Sequence, residues 1–515
     1  MRRSPRTPGY LITWILLSAL PAVGQPVTVR LFSQQPVTAA SVSGRPAGTR
    51  TYEPPWDLRI EGYEPVSLPF PLLVRQTGGS LQFVVKLPVE AYVEGVLAGE
   101  MGGERGAAAL QAVAVAARSY AGRFRGRHRD DGYDFCDTTH CQDYRAVRGA
   151  PDLAEAVEQT ASERLWYQGQ AAAGYYAQSC GGHTEAAANV WPDQAAPYLR
   201  ARPDPHCPRL AWRAEIPREK LDQAMRSAGL QLGSGPLSVA GRSPSGRVSR
   251  LRGSGGKVIA ESSFRFAIGR ELGWNLLRSA LYELEDSGSV IVARGQGAGH
   301  GVGLCQAGAA EMSRRGSSYR EILAHYFPGA TVGVNARGFP WQKFGGERFD
   351  LYTTTPQRDQ VLLERAERLA AALEAKTGLR LKGRPALRVY PTVAAFRDGT
   401  GEPGWVAASV RGSTIRLQPG DTAAAALRHE LAHLLVESHA HPGLPLWFRE
   451  GYVLYLAGQR PGAIGPPPGD AAFRRGSAEE LRAVYRRAAG AVNAIATRHG
   501  AAALRQALAT GKLPD

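Results

Sequence analysis

The sequence predicts a multidomain α+β protein, a β-rich mixed domain followed by a second α+β domain. Three observations predict it. At 515 residues the chain exceeds what one hydrophobic core organises. Apolar residues alternate with period two up to residue 88 and then recur at helical spacing. Periodicity lapses over residues 336–348 (ARGFPWQKFGGER), and a strand, a long helix, further strands and then helices follow.

The N-terminus carries Arg2, Arg3 and Arg6, then the apolar run YLITWILLSAL, then the small residues Ala22-Val23-Gly24 before Gln25. That order predicts a signal peptide over residues 1–24. The run is short against the ~20 residues a bilayer needs, which favours cleavage over anchoring, and no other segment reads as a membrane span. Residues 25–88 (VTVRLF, LQFVVKL) alternate as antiparallel strands do. Residues 89–124 read as helices, 126–146 as a loop bearing cysteine and histidine, 153–164 as a helix, and 165–335 as short strands, Gly-rich turns and short helices. The first domain is set at 25–338, a linker at 339–348 and the second domain at 349–515. The second domain opens with a strand (DLYTT) and an amphipathic helix (QVLLERAERLAAALEAKTG), followed by strands ALRVYP and TIRLQ and then helices.

The formal charge is +16, with arginine outnumbering lysine. It is either a solvated basic surface or an attraction to an anionic polymer or lipid head groups. No basic–aromatic array points to nucleic acid. The five cysteines are Cys136, Cys141, Cys180, Cys207 and Cys305. Export permits disulfides, and the odd count leaves at least one thiol unpaired or bound to metal.

Four ordered stretches carry the strongest signal: LPVEAYVEGVLAGEM with LQAVAVAARSYA; CDTTHCQDY; SCGGHTEAAANVW with PYLRARPDPHC; and GQGAGHGVGLCQAGAAEMSRRG with YREILAHYFPGA. Each resembles the matching block of the SpoIID/LytB family, over roughly residues 27–333. The resemblance implies either lytic transglycosylase activity on peptidoglycan or stimulation of a cell-wall amidase. It places the catalytic glutamate at Glu100, the one followed by Met. Gly102 departs from the proline common there. A lone acid suits the chemistry, because the sugar's own C6 hydroxyl attacks and no second carboxylate has to hold a water, unlike ordinary glycosidases. Such an acid must stay protonated near neutral pH, so a partly apolar setting is expected, as GVLAGEMGG offers. The alternative is a structural cap or ion pair. Glu90 reads as fixing the helix start and Glu94 as a solvated helix face.

Cys136, His140, Cys141 and His128 are suited to a closed structural zinc site, which resembles the metal cluster of some family members; a Cys136–Cys141 disulfide competes. Cys180 and Cys207 lie in blocks where the family often has cysteines. A disulfide between them leaves Cys305 free, and Cys305 pairing with either stays open. His183 and His300 sit on Gly-rich turns that the family places near the substrate groove, with Gln306 as a similar candidate; turns needed only for the fold are the alternative.

Residues 429–433 read HELAH within the helical run AAAALRHELAHLLVE. His429 and His433 share one helix face and can both ligate zinc, with Glu430 beside the metal as base. Glu450, on a second apolar helix (LPLWFREGYVLYL), completes a His₂Glu set for a catalytic zinc with a position open for water. A buried His–Glu cluster without metal is the alternative. Residues 349–515 resemble gluzincin peptidases of the peptidase-MA kind, with TIRLQP as the edge strand along which peptide lies. His439 and His441 read as loop residues, and Tyr452 and Tyr455 as packing or oxyanion groups.

Together these describe a mixed β-rich SpoIID-type domain followed by an α+β zincin-like domain. The protein is expected to be exported to the periplasm, cell wall or exterior and to cut peptidoglycan glycan strands with Glu100, with zinc as cofactor and an unspecified peptide substrate for the second domain. Two other readings stand beside it: a non-catalytic wall-binding amidase enhancer, and a metallopeptidase delivered to the wall by the first domain.

Overall fold

The computed structural model describes residues 26–102, 106–146, 150–233, 235–335, 337–402, 406–459, 465–473 and 478–514. The expected signal peptide, residues 1–24, lies outside them. The chain is a multidomain α+β protein with two compact units, Pro26–Phe339 and Pro340–Asp515. Among the described residues no helix is long and apolar enough to cross a membrane.

The first unit opens on a five-stranded sheet in the order Arg50–Tyr52, Leu72–Thr77, Ser80–Leu87, Val27–Leu31, Phe135–Cys136. Neighbours are antiparallel except the last pair, which is parallel. In Val27–Leu31 buried and partly exposed residues alternate, as a pleated strand with one face on a core requires. Thr77 and Ser80 pair across Gly78–Gly79, both at positive φ (57° and 81°). Such a two-residue turn matches the twist of the flanking strands and favours glycine.

Helix Ala107–Phe124 is buried from Ala109 through most of its length to Ala121, and its many alanines let neighbouring segments approach closely. Helix Val89–Glu100 packs against it. Between them Arg118, fully buried, grips Glu90, with Nη2 2.6 Å from Oε2 and Nε 3.0 Å from Oε1. The Ser162 amide also donates to Glu90 Oε1. This corrects the reading of Glu90 as a helix-start residue: the helix has no side-chain N-cap bond, and Glu90 is the counter-ion of a buried guanidinium.

The mixed pattern of residues 165–335 hides a separate core running from Trp212 to Ala293. It lies among two three-stranded sheets and the helices Arg218–Ser227 and Glu261–Leu272.

The second unit is built on a five-stranded sheet in the order Gln342–Gly345, Asp350–Thr353, Ala386–Val389, Thr414–Leu417, Ala408–Arg411. The three central strands are parallel and both edges antiparallel. Two expectations are corrected here. The stretch 339–348, read as a linker, supplies the strand Gln342–Gly345, whose pairing runs from Gln342↔Thr353 to Gly345↔Asp350. Main-chain bonds to an open edge need no apolar periodicity, so the segment gave no signal. Thr414–Leu417, read as the edge strand, is interior with all four residues buried; the edge is Ala408–Arg411. Helices Asp421–Glu437 and Leu446–Leu456 follow, and the first packs against that edge strand.

Candidate functional sites

Glu100 is the last residue of helix Val89–Glu100 and remains partly exposed. The Asp143 amide donates to its Oε1 at 2.9 Å, and Gln306 Nε2 lies 3.5 Å from its Oε2. Gly99 makes this arrangement feasible. A Cβ there would stand 2.2 Å from the Asp143 carbonyl oxygen, so only glycine lets that segment lie close enough to present its amide. Behind the acid, Tyr92 Oη donates to Gln142 Oε1 at 3.1 Å, and Gln142 Nε2 donates to Tyr176 Oη at 2.6 Å. Desolvation by the surrounding protein pushes the Glu100 carboxyl up to about 7; the Asp143 amide and Gln306 oppose that rise, and the Asp143 carboxylate adds to it. Among the described residues Glu100 has no ion-pair partner. Gln142, Asp143 and Tyr176 were not singled out from sequence, although CDTTHCQDY was; only folding brings their segment to the end of this helix.

An aromatic cleft of about 180 Å³ is lined by Tyr120, Phe124, Tyr175, Trp191 and His300, with His140 and Cys141 at its margin. Tyr175 stacks on Trp191 at 4.7 Å, and Trp191 meets His300 edge-on at 4.9 Å. Glu100 is not among the lining residues. Tyr175 belongs to this wall, whereas the neighbouring Tyr176 belongs to the surroundings of Glu100. Burial and the cations of Arg265 and Arg247 lower His300 to about 3, and the Val302 amide donates to its Nδ1, so the ring is neutral with its proton on Nε2. His183 lies elsewhere, its Nδ1 2.8 Å from the Thr184 carbonyl and its own carbonyl accepting from Arg247 Nη1.

His128, Cys136, His140 and Cys141 converge, their candidate ligand atoms all within 4.8 Å of one another. Cys141 Sγ is 3.4 Å from His128 Nε2 and 3.8 Å from His140 Nδ1, and Cys136 Sγ is 3.7 Å from His140 Nδ1. The turn closed by the Cys141 amide on the Thr138 carbonyl lets the adjacent His140 and Cys141 face one point. A hydrogen bond from Cys141 holds the Cys136 thiol down at about 3, favouring thiolate. Two soft sulfurs and two imidazole nitrogens at this spacing fit zinc.

All five cysteines are free thiols. For the possible Cys180–Cys207 pair, Cys180 Sγ lies 3.1 Å from Asp204 Oδ2, and Cys207 Sγ lies 3.2 Å from Ser179 Oγ.

In the second unit the helix spacing sets His429 Nε2 and His433 Nε2 3.1 Å apart, and Glu450 Oε2 lies 3.9 Å from His433 Nε2. All four groups of the set, Glu430 included, are buried. Glu430 Oε2 and Glu450 Oε2 lack any hydrogen-bond partner. Desolvation raises both carboxyls to about 8, with Glu402 and Glu450 adding to the rise at Glu430 and Glu437 at Glu450; burial lowers His429 to about 4. Orphaned buried carboxylates beside converging imidazoles suit a divalent cation. His439 Nδ1 donates to the Leu435 carbonyl and His441 Nδ1 accepts from the Gly443 amide, so both rings serve the loop. Tyr452 is buried among Phe448 and Tyr455.

A family profile described as "Stage II sporulation protein" (SpoIID) matches residues 77–167. Stage II sporulation protein D of Bacillus subtilis (strain 168) is 26% identical over 340 residues, spanning 63% of this chain and 95% of that protein. The amidase enhancer of the same organism is 27% identical over 268 residues, 42% of this chain and 37% of the relative. An uncharacterized protein of Brachyspira hyodysenteriae is 29% identical over 268 residues, 49% of this chain and 71% of the relative. The chain thus carries a SpoIID-family domain, and the matched segment holds Glu100 together with the His128, Cys136, His140 and Cys141 cluster.

Proposed function

We propose that the first unit is a cell-wall module that cleaves peptidoglycan glycan strands as a lytic transglycosylase, with Glu100 as general acid. The observation that carries the reading is a carboxyl held near pKa 7, partly exposed and outside any ion pair among the described residues. At neutral pH a substantial share of the molecules carry the proton. Glu100 gives it to the glycosidic oxygen as the C1–O bond breaks. The C6 hydroxyl of the same sugar closes on C1 and returns its proton to the carboxylate, forming a 1,6-anhydro end. The Asp143 amide and Gln306 stabilise the carboxylate between the two transfers. The aromatic cleft offers faces suited to sugar rings, and the +16 charge favours an anionic wall polymer. The test is mass spectrometry of glycan fragments released from purified sacculi. Anhydro ends are expected from the wild type and should fall by about 10²-fold or more in Glu100→Gln. Undiminished ends from a folded Glu100→Gln protein refute the acid. Undiminished stimulation of a wall amidase by that variant, with no anhydro ends from the wild type, transfers the function to amidase enhancement.

A second reading rests on the unpartnered Glu430 and Glu450 carboxylates beside His429 and His433: the second unit is a zinc peptidase-like domain. His429, His433 and Glu450 would hold the ion, and bound zinc would supply a polarised water and carbonyl. The charge of a bound ion would favour the ionised form of Glu430, which would then take and return the proton at its free Oε2. Ala408–Arg411 is the strand to which an extended peptide can add. Cleavage of a fluorogenic peptide library should stop on chelation and in Glu430→Gln. Zinc bound with no cleavage of any library peptide removes the peptidase and leaves a scaffold. Export to the periplasm, wall or exterior accompanies both readings.

A further inference from the structure

Cys180 and Cys207 are 27 residues apart and Cys305 lies 98 residues further on, and all three are buried. Their sulfurs and an Asp204 carboxylate oxygen lie within 4.8 Å of one another. A disulfide joins two sulfurs and would leave the third thiol and the carboxylate crowded against it without a role. The surroundings are those of ligands already oriented. The Cys180 and Gly308 amides each point at Cys305 Sγ at 3.3 Å, and Cys305 stands at the N-cap of helix Gln306–Arg314. Amide donors and a helix N-terminus both favour thiolate. Asp204 is itself held: Tyr326 Oη donates to Oδ2 at 2.9 Å and the His206 amide donates to Oδ1 at 3.1 Å. Carboxylate ligands are commonly fixed by such outer partners. His325 Nε2 stands 3.8 Å from Asp204 Oδ1, buried and without a hydrogen bond. The buried Arg247 donates to the Cys180 carbonyl at 2.7 Å and brings a positive charge to an anionic cluster.

We propose that Cys180, Cys207, Cys305 and Asp204 form a second closed metal site for a thiophilic divalent cation of the zinc type, separate from the His128–Cys141 cluster. Three thiolates and one carboxylate give a tetrahedral set, in which sulfurs about 2.3 Å from the ion lie roughly 4 Å apart; the four ligand atoms here all lie within 4.8 Å of one another. The ion would fasten the loop after Tyr176–Ala177, the turn at 203–207 and the start of helix Gln306–Arg314. The last of these carries Gln306 beside Glu100, so the site has a positioning role for the first unit.

The decisive experiment uses the full chain with Cys136→Ser and Cys141→Ser, which leaves these three cysteines as the remaining thiols. Titration with an organomercurial is expected to release about one zinc per chain in step with thiol modification, because a zinc at the histidine–glutamate set of the second unit has no sulfur ligand. Cobalt loaded in place of zinc should give a thiolate-to-metal charge-transfer band that weakens when Cys305→Ser is added. No released zinc together with no such band overturns the proposal. Should the double variant not fold, peptide mapping of the unreduced wild type decides. Any two of Cys180, Cys207 and Cys305 linked as a disulfide refute the site, and three thiols that become alkylatable only after chelation support it.

Discussion

Glu100 shows how one carboxyl's surroundings set both its chemistry and its cost to the fold. Its ordinary value is 4.5 and burial lifts it to about 7. Below about pH 4.5 the folded and unfolded chains both carry the proton, and Glu100→Gln should match the wild type in stability. Between the two values the unfolded carboxyl ionises while the folded one resists, so the wild type loses stability as pH rises; above about 7 the loss is complete. Glu100→Gln should therefore be the more stable protein at pH 8, by on the order of 1–3 kcal/mol, and calorimetry at pH 4 and pH 8 measures it. Equal melting at both pH values would show that the carboxyl is not desolvated. The block that holds Glu100 was legible in the sequence, whereas the groups around its carboxyl were not. A donating main-chain amide at Asp143 has no signature in a side-chain alphabet, and Gln306 reaches the acid from a segment 206 residues away.

At the scale of elements, the joint between helices Val89–Glu100 and Ala107–Phe124 depends on Arg118 and Glu90. Arg118→Met leaves a buried carboxylate without its counter-ion and should cost about 3–5 kcal/mol in denaturant unfolding, while the Glu90→Leu, Arg118→Met double variant should recover much of it. A single-variant loss below about 1 kcal/mol would mean that water reaches the pair. Sequence misassigned Glu90 because its place just after Pro88 fits a helix start; the deciding partner lies 28 residues on. Thr414–Leu417 was misplaced for another reason. The edge position came from the peptidase resemblance, and the Thr and Arg of the segment did not oppose it; both Thr414 and Arg416 are buried, so polarity did not report position. The HELAH helix was legible because helix spacing decides it without distant partners.

For the whole molecule, the chain's division can be tested by where it is cut. A fragment starting at Pro340 keeps the strand Gln342–Gly345, whereas one starting at residue 349 strips it and bares the Asp350–Thr353 edge. The longer fragment should be monomeric, and the shorter one less stable and more prone to associate, as light scattering and thermal unfolding will show. Identical behaviour would make the strand dispensable. The first unit's two separate cores were not visible in the sequence, because residues 165–335 mix short strands and turns whose partners are chosen only in three dimensions.

Tyr175 and Tyr176 are consecutive residues with different neighbours, one in the aromatic wall and the other near Glu100. Each ring turns about its own side-chain bonds, so a substitution at Tyr175 can reshape the aromatic wall while Tyr176 keeps its place near Glu100.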